Sequence, residues 1–266
     1  MVLHDQHVHS SYSVDSNASI KEYYLEAKKK NCKYFITTEH LDYMVLENNS
    51  DWIPDCEKLK INLKEIEEND GPITLMGLEL GYQKKYLQDI KNFVNKYDFD
   101  LINLSIHGND KLDYYFSPFY LEHGINYTLK MYYDEMLEAV STYDDFNVLS
   151  HLDYAYKTAY LIDNNTKFMD FEDIISQILL TIIKKGKALE INTKVQTYLP
   201  LEHTKELLKL YKKLGGTKIT LSSDAHEVER YLDGFNYYKE IIKQCGFSYL
   251  CYYIKQKEYH YDIVGI

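Results

Sequence analysis

Imidazoles and carboxylates recur in this sequence at intervals that suit divalent cations. His7-Val8-His9 sets two imidazoles two positions apart, and Asp224-Ala225-His226 repeats that spacing near the other end of the chain. In an extended strand, residues i and i+2 point to one face, so each pair can serve a single ion. Between the pairs lie Asp15, His40, Glu79, His107 and His151. Imidazole and carboxylate are donors for Zn²⁺, Mn²⁺ and Fe²⁺, and these nine groups exceed what one tetrahedral ion accepts. The expectation is a cluster of two or three divalent metal ions, with zinc, manganese or iron all compatible. Glu79, an acid isolated among histidines, suits a bridging role because its two oxygens can hold two ions.

Residues this far apart meet only if the fold returns them to one place. Strand-like runs at 2–8, 33–38, 73–80, 101–106, 147–150, 188–192, 217–222 and 247–253 alternate with helical patterns at 55–67, 87–97, 128–142, 171–185, 201–213 and 236–244. Ser19-Ile-Lys-Glu22 has the spacing of a capping box and predicts a further helix running to about Lys30. This alternation is the signature of seven or eight βα units around a parallel sheet. The ligand-type residues fall at the carboxyl ends of the expected strands, where the loops of a βα barrel converge. Six of the ten histidines lie at such ends. His4, His123, His203 and His260 are expected to be structural or surface residues. The longest irregular stretch, 108–127, is expected to form a wall of the site.

Composition narrows the function classes. With 266 residues, 45% hydrophobic and 27% charged, the chain can bury a full core, and no linker or compositional break divides it. A single domain over 1–266 is expected. A formal charge of −11 offers no basic footprint for a nucleic acid, so a small anionic partner would have to be attracted by local lysines or by metal. Cys32, Cys56, Cys245 and Cys251 form no CxxC pair. The opening Met-Val-Leu-His-Asp-Gln-His lacks the basic and apolar stretches of a signal peptide, and no apolar run is long enough to span a bilayer. A reducing, cytoplasmic setting and no membrane partner are expected. The 28 tyrosines form no repeated box and are read as core and surface filler. Oligomeric state and the identity of the metal have no signature in the sequence.

Taken together, the segments resemble the PHP (polymerase and histidinol phosphatase) family. The resemblance rests on Asp5-Gln-His-Val-His-Ser10 with Ser13 and Asp15, Thr38-Glu-His40, Gly77-Leu-Glu79, Ser105-Ile-His107, Ser150-His-Leu-Asp153 and Ser223-Asp-Ala-His226, in that order. It implies an α/β fold, a distorted (β/α)7 TIM-like barrel with a trinuclear metal site at the carboxyl ends of the strands. It also implies a ligand set: His7, His9, Glu79 and Asp224 for one ion, Glu79, His107 and His151 for a second, and Asp15, His40 and His226 for a third. The segments Val148-Leu-Ser-His-Leu-Asp-Tyr154 and Ala188-Leu-Glu-Ile-Asn-Thr193 resemble the stand-alone phosphatase branch, which releases phosphate from L-histidinol phosphate in histidine biosynthesis.

Two departures qualify the match. Glu39 stands where many members have Asp, a change expected to be tolerated. The branch grips phosphate with arginines, whereas this chain has only Arg230; Thr197 occupies the place of one arginine, and Lys157 and Lys194 are the nearby cations. Lysine supplies charge without the bidentate fork. The expected reaction is metal-assisted hydrolysis of a small phosphorylated metabolite, with Lys157, Lys194 and Arg230 as substrate-binding candidates and Asp42 and Asp153 as candidate acids. The alternatives are another phosphomonoester, a phosphotyrosine or phosphodiester substrate, and a non-enzymatic metal-binding scaffold.

Overall fold

The computed structural model of the chain describes residues 5–45, 49–109 and 111–263. Strand β1 (Tyr34–Val45) pairs antiparallel with β2 (Ser50–Trp52). Strands β3 (Ile73–Gly81), β4 (Leu101–Ser105), β5 (Val148–Leu149), β6 (Ala188–Asn192) and β7 (Ile219–Ser222) continue the sheet in parallel, in the order β2-β1-β3-β4-β5-β6-β7. The first nine positions of β1 and every position of β4, β6 and β7 are buried, as a sheet covered on both faces requires.

Helices fill the crossovers. α1 (Ile20–Lys29) precedes β1, α2 (Cys56–Ile66) precedes β3, and α3 (Leu87–Val94) precedes β4. α4 (Ser117–His123) and α5 (Ile125–Thr142) lead to β5, and α6 (Tyr154–Ile162) and α7 (Glu172–Lys184) lead to β6. α8 (Thr193–Gln196) and α9 (Leu201–Lys213) lead to β7, and α10 (Phe235–Gln244) follows it. α7 illustrates why they pack: Ile175, Ile178, Leu179 and Ile182 recur at helical spacing and are its buried residues. Each such side chain, once buried, contributes roughly 1.5–3 kcal/mol. The expected irregular stretch 108–127 contains α4 and the start of α5. Ser19 is the N-cap of α1, but its side chain makes no capping bond; its backbone carbonyl accepts the Tyr23 N–H instead, so the expected capping box does not form.

The expected opening strand is a short extended segment whose first part, 2–4, lies outside the described residues. This segment joins the two ends of the parallel series. Thr38 N–H donates to Val8 O and His9 N–H donates to Ala225 O, each at 2.8 Å, so residues 8–9 lie between β1 and the end of β7. The result is a distorted TIM-like barrel. The expected strand 247–253 does not extend the barrel. β8 (Tyr249–Ile254) pairs antiparallel with β9 (Lys257–Asp262), and the two-residue turn between them, Lys255-Gln256, has φ of 50° and 58°. Two positive φ values match the twist of a tight hairpin, which sends the chain back on itself rather than into another crossover. Cys251, Tyr252 and Tyr253 pack on Tyr34, Leu101, Val148 and Ala188, the first residues of four barrel strands and of the end opposite the site. Among the described residues no helix is long and apolar enough to cross a membrane.

Candidate metal centre

The nine ligand-type residues come together at the carboxyl end of the barrel. His40 and Glu79 are paired across β1 and β3 in register, and Glu79 sits beside Asn103 of β4. Glu79 is the hub. Its Oε2 lies 3.1 Å from His7 Nε2, 3.2 Å from His9 Nε2 and 3.1 Å from His40 Nδ1, while its Oε1 lies 3.1 Å from His107 Nε2 and 2.7 Å from His151 Nε2. Asp224 Oδ1 lies 3.3 Å from His9 Nε2. Asp15 Oδ2 approaches His226 Nε2 at 2.9 Å and His40 Nε2 at 3.4 Å. Donor atoms within 4.8 Å of one another form four overlapping groups here: His9/Asp15/His40/His226, His7/His9/Asp224, His7/Glu79/His151 and His40/Asp42/His107.

A second layer of side chains orients the first. Glu190 Oε1 lies 2.7 Å from His7 Nδ1, and its Oε2 accepts the His151 N–H at 2.8 Å. Ser222 Oγ also donates to Glu190. Ser13 Oγ lies 3.1 Å from His9 Nδ1 and donates to Glu39 at 2.6 Å; Ser10 Oγ does likewise, so Glu39 serves as an anchor behind the first histidine pair. Asp5 accepts the Ser223 N–H and hydroxyl at 2.9 and 2.5 Å and the Leu232 N–H at 3.1 Å, fixing the turn that carries Asp224. Asp224 itself has φ 50°, a left-handed conformation that non-glycine residues adopt at a cost and that clusters at functional sites. A Cβ at Gly81 would fall within 1.7 Å of Asp42 Oδ1, so only glycine lets that carboxylate lie against β3.

The electrostatics fit bound cations. Burial disfavours the charged form of His7, yet Glu79, Glu190 and Asp224 outweigh it and raise its pKa well above the ordinary value. His40 is raised in the same way, against burial, by Glu79, Asp15 and Asp42. His107 is raised to about 10, again against burial, by Asp42 and Glu79. Carboxylates packed this closely demand positive charge, which protons or metal ions can supply. His9 goes the other way: burial and then the charges of His40 and His226 push it down to about 4, leaving a neutral imidazole. The buried Nε2 atoms of His7 and His9 have no hydrogen-bond partner among the described residues, although carboxylate oxygens stand within 3.3 Å. Imidazole nitrogens aimed at carboxylates without hydrogen bonds are what an intervening cation satisfies.

The cavity beside this cluster has a volume of about 300 Å³. Seven of the nine ligand-type residues line it, with Asp42, Lys157, Lys194, Asp113 and an apolar wall that includes Trp52, Tyr115 and Phe116. Lys157 is buried, with its ammonium 4.5, 5.2 and 6.0 Å from the rings of Tyr154, Tyr115 and Tyr198. Burial, and then the charge of Lys194, lowers its pKa to about 8. Lys194 Nζ lies 3.0 Å from His226 Nδ1 and 3.6 Å from Asp224.

Three sequence-based expectations need correction. Asp153 does not line the cavity: its carboxylate is buried 2.7 Å from His203 Nε2 and accepts a bond from Gln196, so it braces α6 rather than donating a proton to substrate. Asp42 lines the cavity but is engaged by two imidazoles, at 2.8 Å from His107 Nδ1 and 3.2 Å from His40 Nδ1. Although burial works against it, those histidines hold its carboxyl at about 2, as an acceptor shared by both rings. Arg230 pairs with Asp233 at 3.1 Å on the surface and does not line the cavity. Sequence reasoning assigned no role to Glu190, Trp52 or Asp113. His203, left as structural, is indeed buried, and His123 is half exposed beside Glu122.

Comparison with known proteins agrees with this geometry. The PHP domain matches residues 5–194. The chain belongs to the PHP family. A histidinol-phosphatase of Lactococcus lactis is 30% identical over 249 residues, covering 92% of both chains. A probable histidinol-phosphatase of Thermotoga maritima is 28% identical over 251 residues, 92% of this chain and 94% of the other. The solved structure of the Lactococcus lactis histidinol phosphate phosphatase, complexed with zinc, L-histidinol and phosphate, superposes with a TM-score of 0.86 at 27% identity, covering 97% of this chain and all of that one. A Listeria monocytogenes structure with TM-score 0.72 and 18% identity shares the fold.

Proposed function

We propose that residues 1–266 form one metal-dependent phosphatase domain that hydrolyses L-histidinol phosphate to L-histidinol and phosphate. The observation that carries this reading is the Glu79 hub: one buried carboxylate whose two oxygens face five imidazoles. The PHP membership and the relative holding zinc, L-histidinol and phosphate support it.

In this reading His7, His9, Glu79 and Asp224 hold one divalent ion, Glu79, His107 and His151 a second, and Asp15, His40 and His226 a third. Zinc, manganese and iron all suit the donor set. Such ions, when bound, supply Lewis-acid charge to a phosphoryl group and to the water that attacks it. The chain's own residues do the positioning. Asp42 fixes the rings of His40 and His107 through Nδ1, and Glu190 and Ser13 do the same for His7 and His9. Lys157 and Lys194 bring positive charge to the phosphate, Lys157 as a partly desolvated ammonium that interacts strongly with an anion. The aromatic wall restricts water at the leaving-group side.

The test is a kcat/KM panel on protein of known metal content, using L-histidinol phosphate, phosphotyrosine, p-nitrophenyl phosphate and a phosphodiester. The expected order puts L-histidinol phosphate first by at least about tenfold. Preference for the diester would overturn the reaction class, and activity unchanged after chelation would overturn the metal role.

A further inference from the structure

A second group of metal-type donors lies at the opposite end of the barrel from the Glu79 hub, on the β8–β9 hairpin. Cys251 and His260 are directly paired across the two strands, and Glu258 stands two positions before His260. Residues opposite one another in an antiparallel pair share a face, and so do residues two apart in one strand. The hairpin register therefore puts a thiol, a carboxylate and an imidazole on one side. Their donor atoms all lie within 4.8 Å of one another. Glu258 Oε1 is the meeting point, 2.5 Å from His260 Nε2 and 3.9 Å from Cys251 Sγ.

The surroundings hold these groups in place. Lys218, the residue before β7, engages Glu258 through the other oxygen, Oε2, at 2.6 Å, and the same ammonium donates to Gly186 O at 2.9 Å. That anchor leaves Oε1 turned toward the sulfur and the imidazole. Against burial, Lys218 and then His260 keep Glu258 below the ordinary carboxylate range, so it is ionised. The His260 ring stacks on that of Tyr249, with centroids 4.3 Å apart. Cys251 is buried while His260 is half exposed, so an ion can enter from the imidazole side and water can complete its shell. A tetrahedral zinc ion spaces sulfur from nitrogen or oxygen donors by about 3.5 Å. The sulfur and carboxylate already stand close to that separation, and the imidazole has only to swing outward by roughly 1 Å.

We propose that Cys251, Glu258 and His260 bind a zinc ion at the amino end of the barrel, apart from the Glu79 cluster. A thiolate ligand favours zinc over the harder manganese. Coordination displaces the thiol proton, which burial and then the Glu258 charge hold in place by raising Cys251 to about 12, so binding strengthens as pH rises. The ion ties β8 to β9 and, through Glu258 and Lys218, ties the hairpin to the start of β7. It is a clip on the element that covers the first residues of four barrel strands.

The experiment titrates the full chain with Co²⁺, a spectroscopic substitute for zinc, at about pH 8, and follows the near-ultraviolet charge-transfer band of a cobalt thiolate. None of the nine donors around Glu79 is a cysteine, and Cys32, Cys56 and Cys245 stand in no such donor group among the described residues, so the band reports on Cys251. The expected result is a band that saturates with one ion per chain, is absent from Cys251→Ser, and in His260→Ala needs at least about tenfold more cobalt. His260 is half exposed, so H260A decides the matter even if the buried serine of C251S impairs folding; melting temperature checks both. A wild-type protein without the band would overturn the proposal, as would a band that survives in C251S or titrates unchanged in H260A. The readout is a sulfur–metal bond that the Glu79 cluster cannot form, so each of these outcomes leaves the phosphatase reading standing.

Discussion

The two ends of the cavity are built on different principles. At the ligand-cluster end nearly every side chain is held by a second one: His7 by Glu190, His9 by Ser13, His40 and His107 by Asp42, and Glu79 by a 2.6 Å bond from Ser105. At the other end Lys157 is held by three aromatic rings, and the walls come from loops and from the β1–β2 arm. The first end is rigid because a multinuclear site tolerates little displacement of its donors. The second sets what is bound, and loops can change without disturbing the barrel.

The contrast is broken most severely at its hub. Glu79→Gln is expected to lower bound metal and phosphatase turnover together, the latter by at least about a hundredfold; metal analysis alongside kcat checks this, and retention of both at wild-type level removes the hub. Glu190→Gln takes away the charge behind His7 without touching the cavity. It is expected to weaken metal affinity about 10- to 100-fold, read by competition with a chelating dye, while activity returns at saturating metal.

Lys157 sharpens the other half of the comparison. Its ammonium is present below about pH 8 and is lost above, so KM for a phosphate ester is expected to rise as pH increases from 7 to 9. Arginine remains charged over that range and offers a planar fork, so Lys157→Arg is expected to abolish the alkaline rise and lower KM about threefold at pH 7. A pH profile of KM for both proteins tests this. The smallest effect belongs to Arg230→Ala, which removes an exposed pair with Asp233: kcat/KM within about twofold, and stability within about 0.5 kcal/mol by denaturant titration.

The rigid end was legible in the sequence because its donors sit at fixed offsets from strands. His7/His9 and Asp224/His226 keep two-residue spacing, and His40 and Glu79 fall on neighbouring strands in register. The strands themselves read clearly where both faces are buried, as in β4 and β6, whose positions are all interior. What stayed hidden depended on tertiary approach. Glu190 looks like one more acid in an apolar run until β6 lies beside β7 and faces His7. Asp153 follows His151 at ligand-like spacing, but its side chain turns to His203, fifty positions away. Residues 249–254 have strand chemistry, and only the conformation of Lys255 and Gln256 decides that they fold back as a hairpin. Trp52 and Asp113 belong to an arm and a loop whose positions no periodicity encodes.

The short stretch that carries His7 and His9 also stitches Thr38 to Ala225. Catalytic competence and mechanical continuity therefore share one seam. Stripping the site with a chelator should loosen the ring where its first and last staves meet, and the amide hydrogens of Thr38 and His9 would be the first in the barrel to report the gap by exchange with solvent.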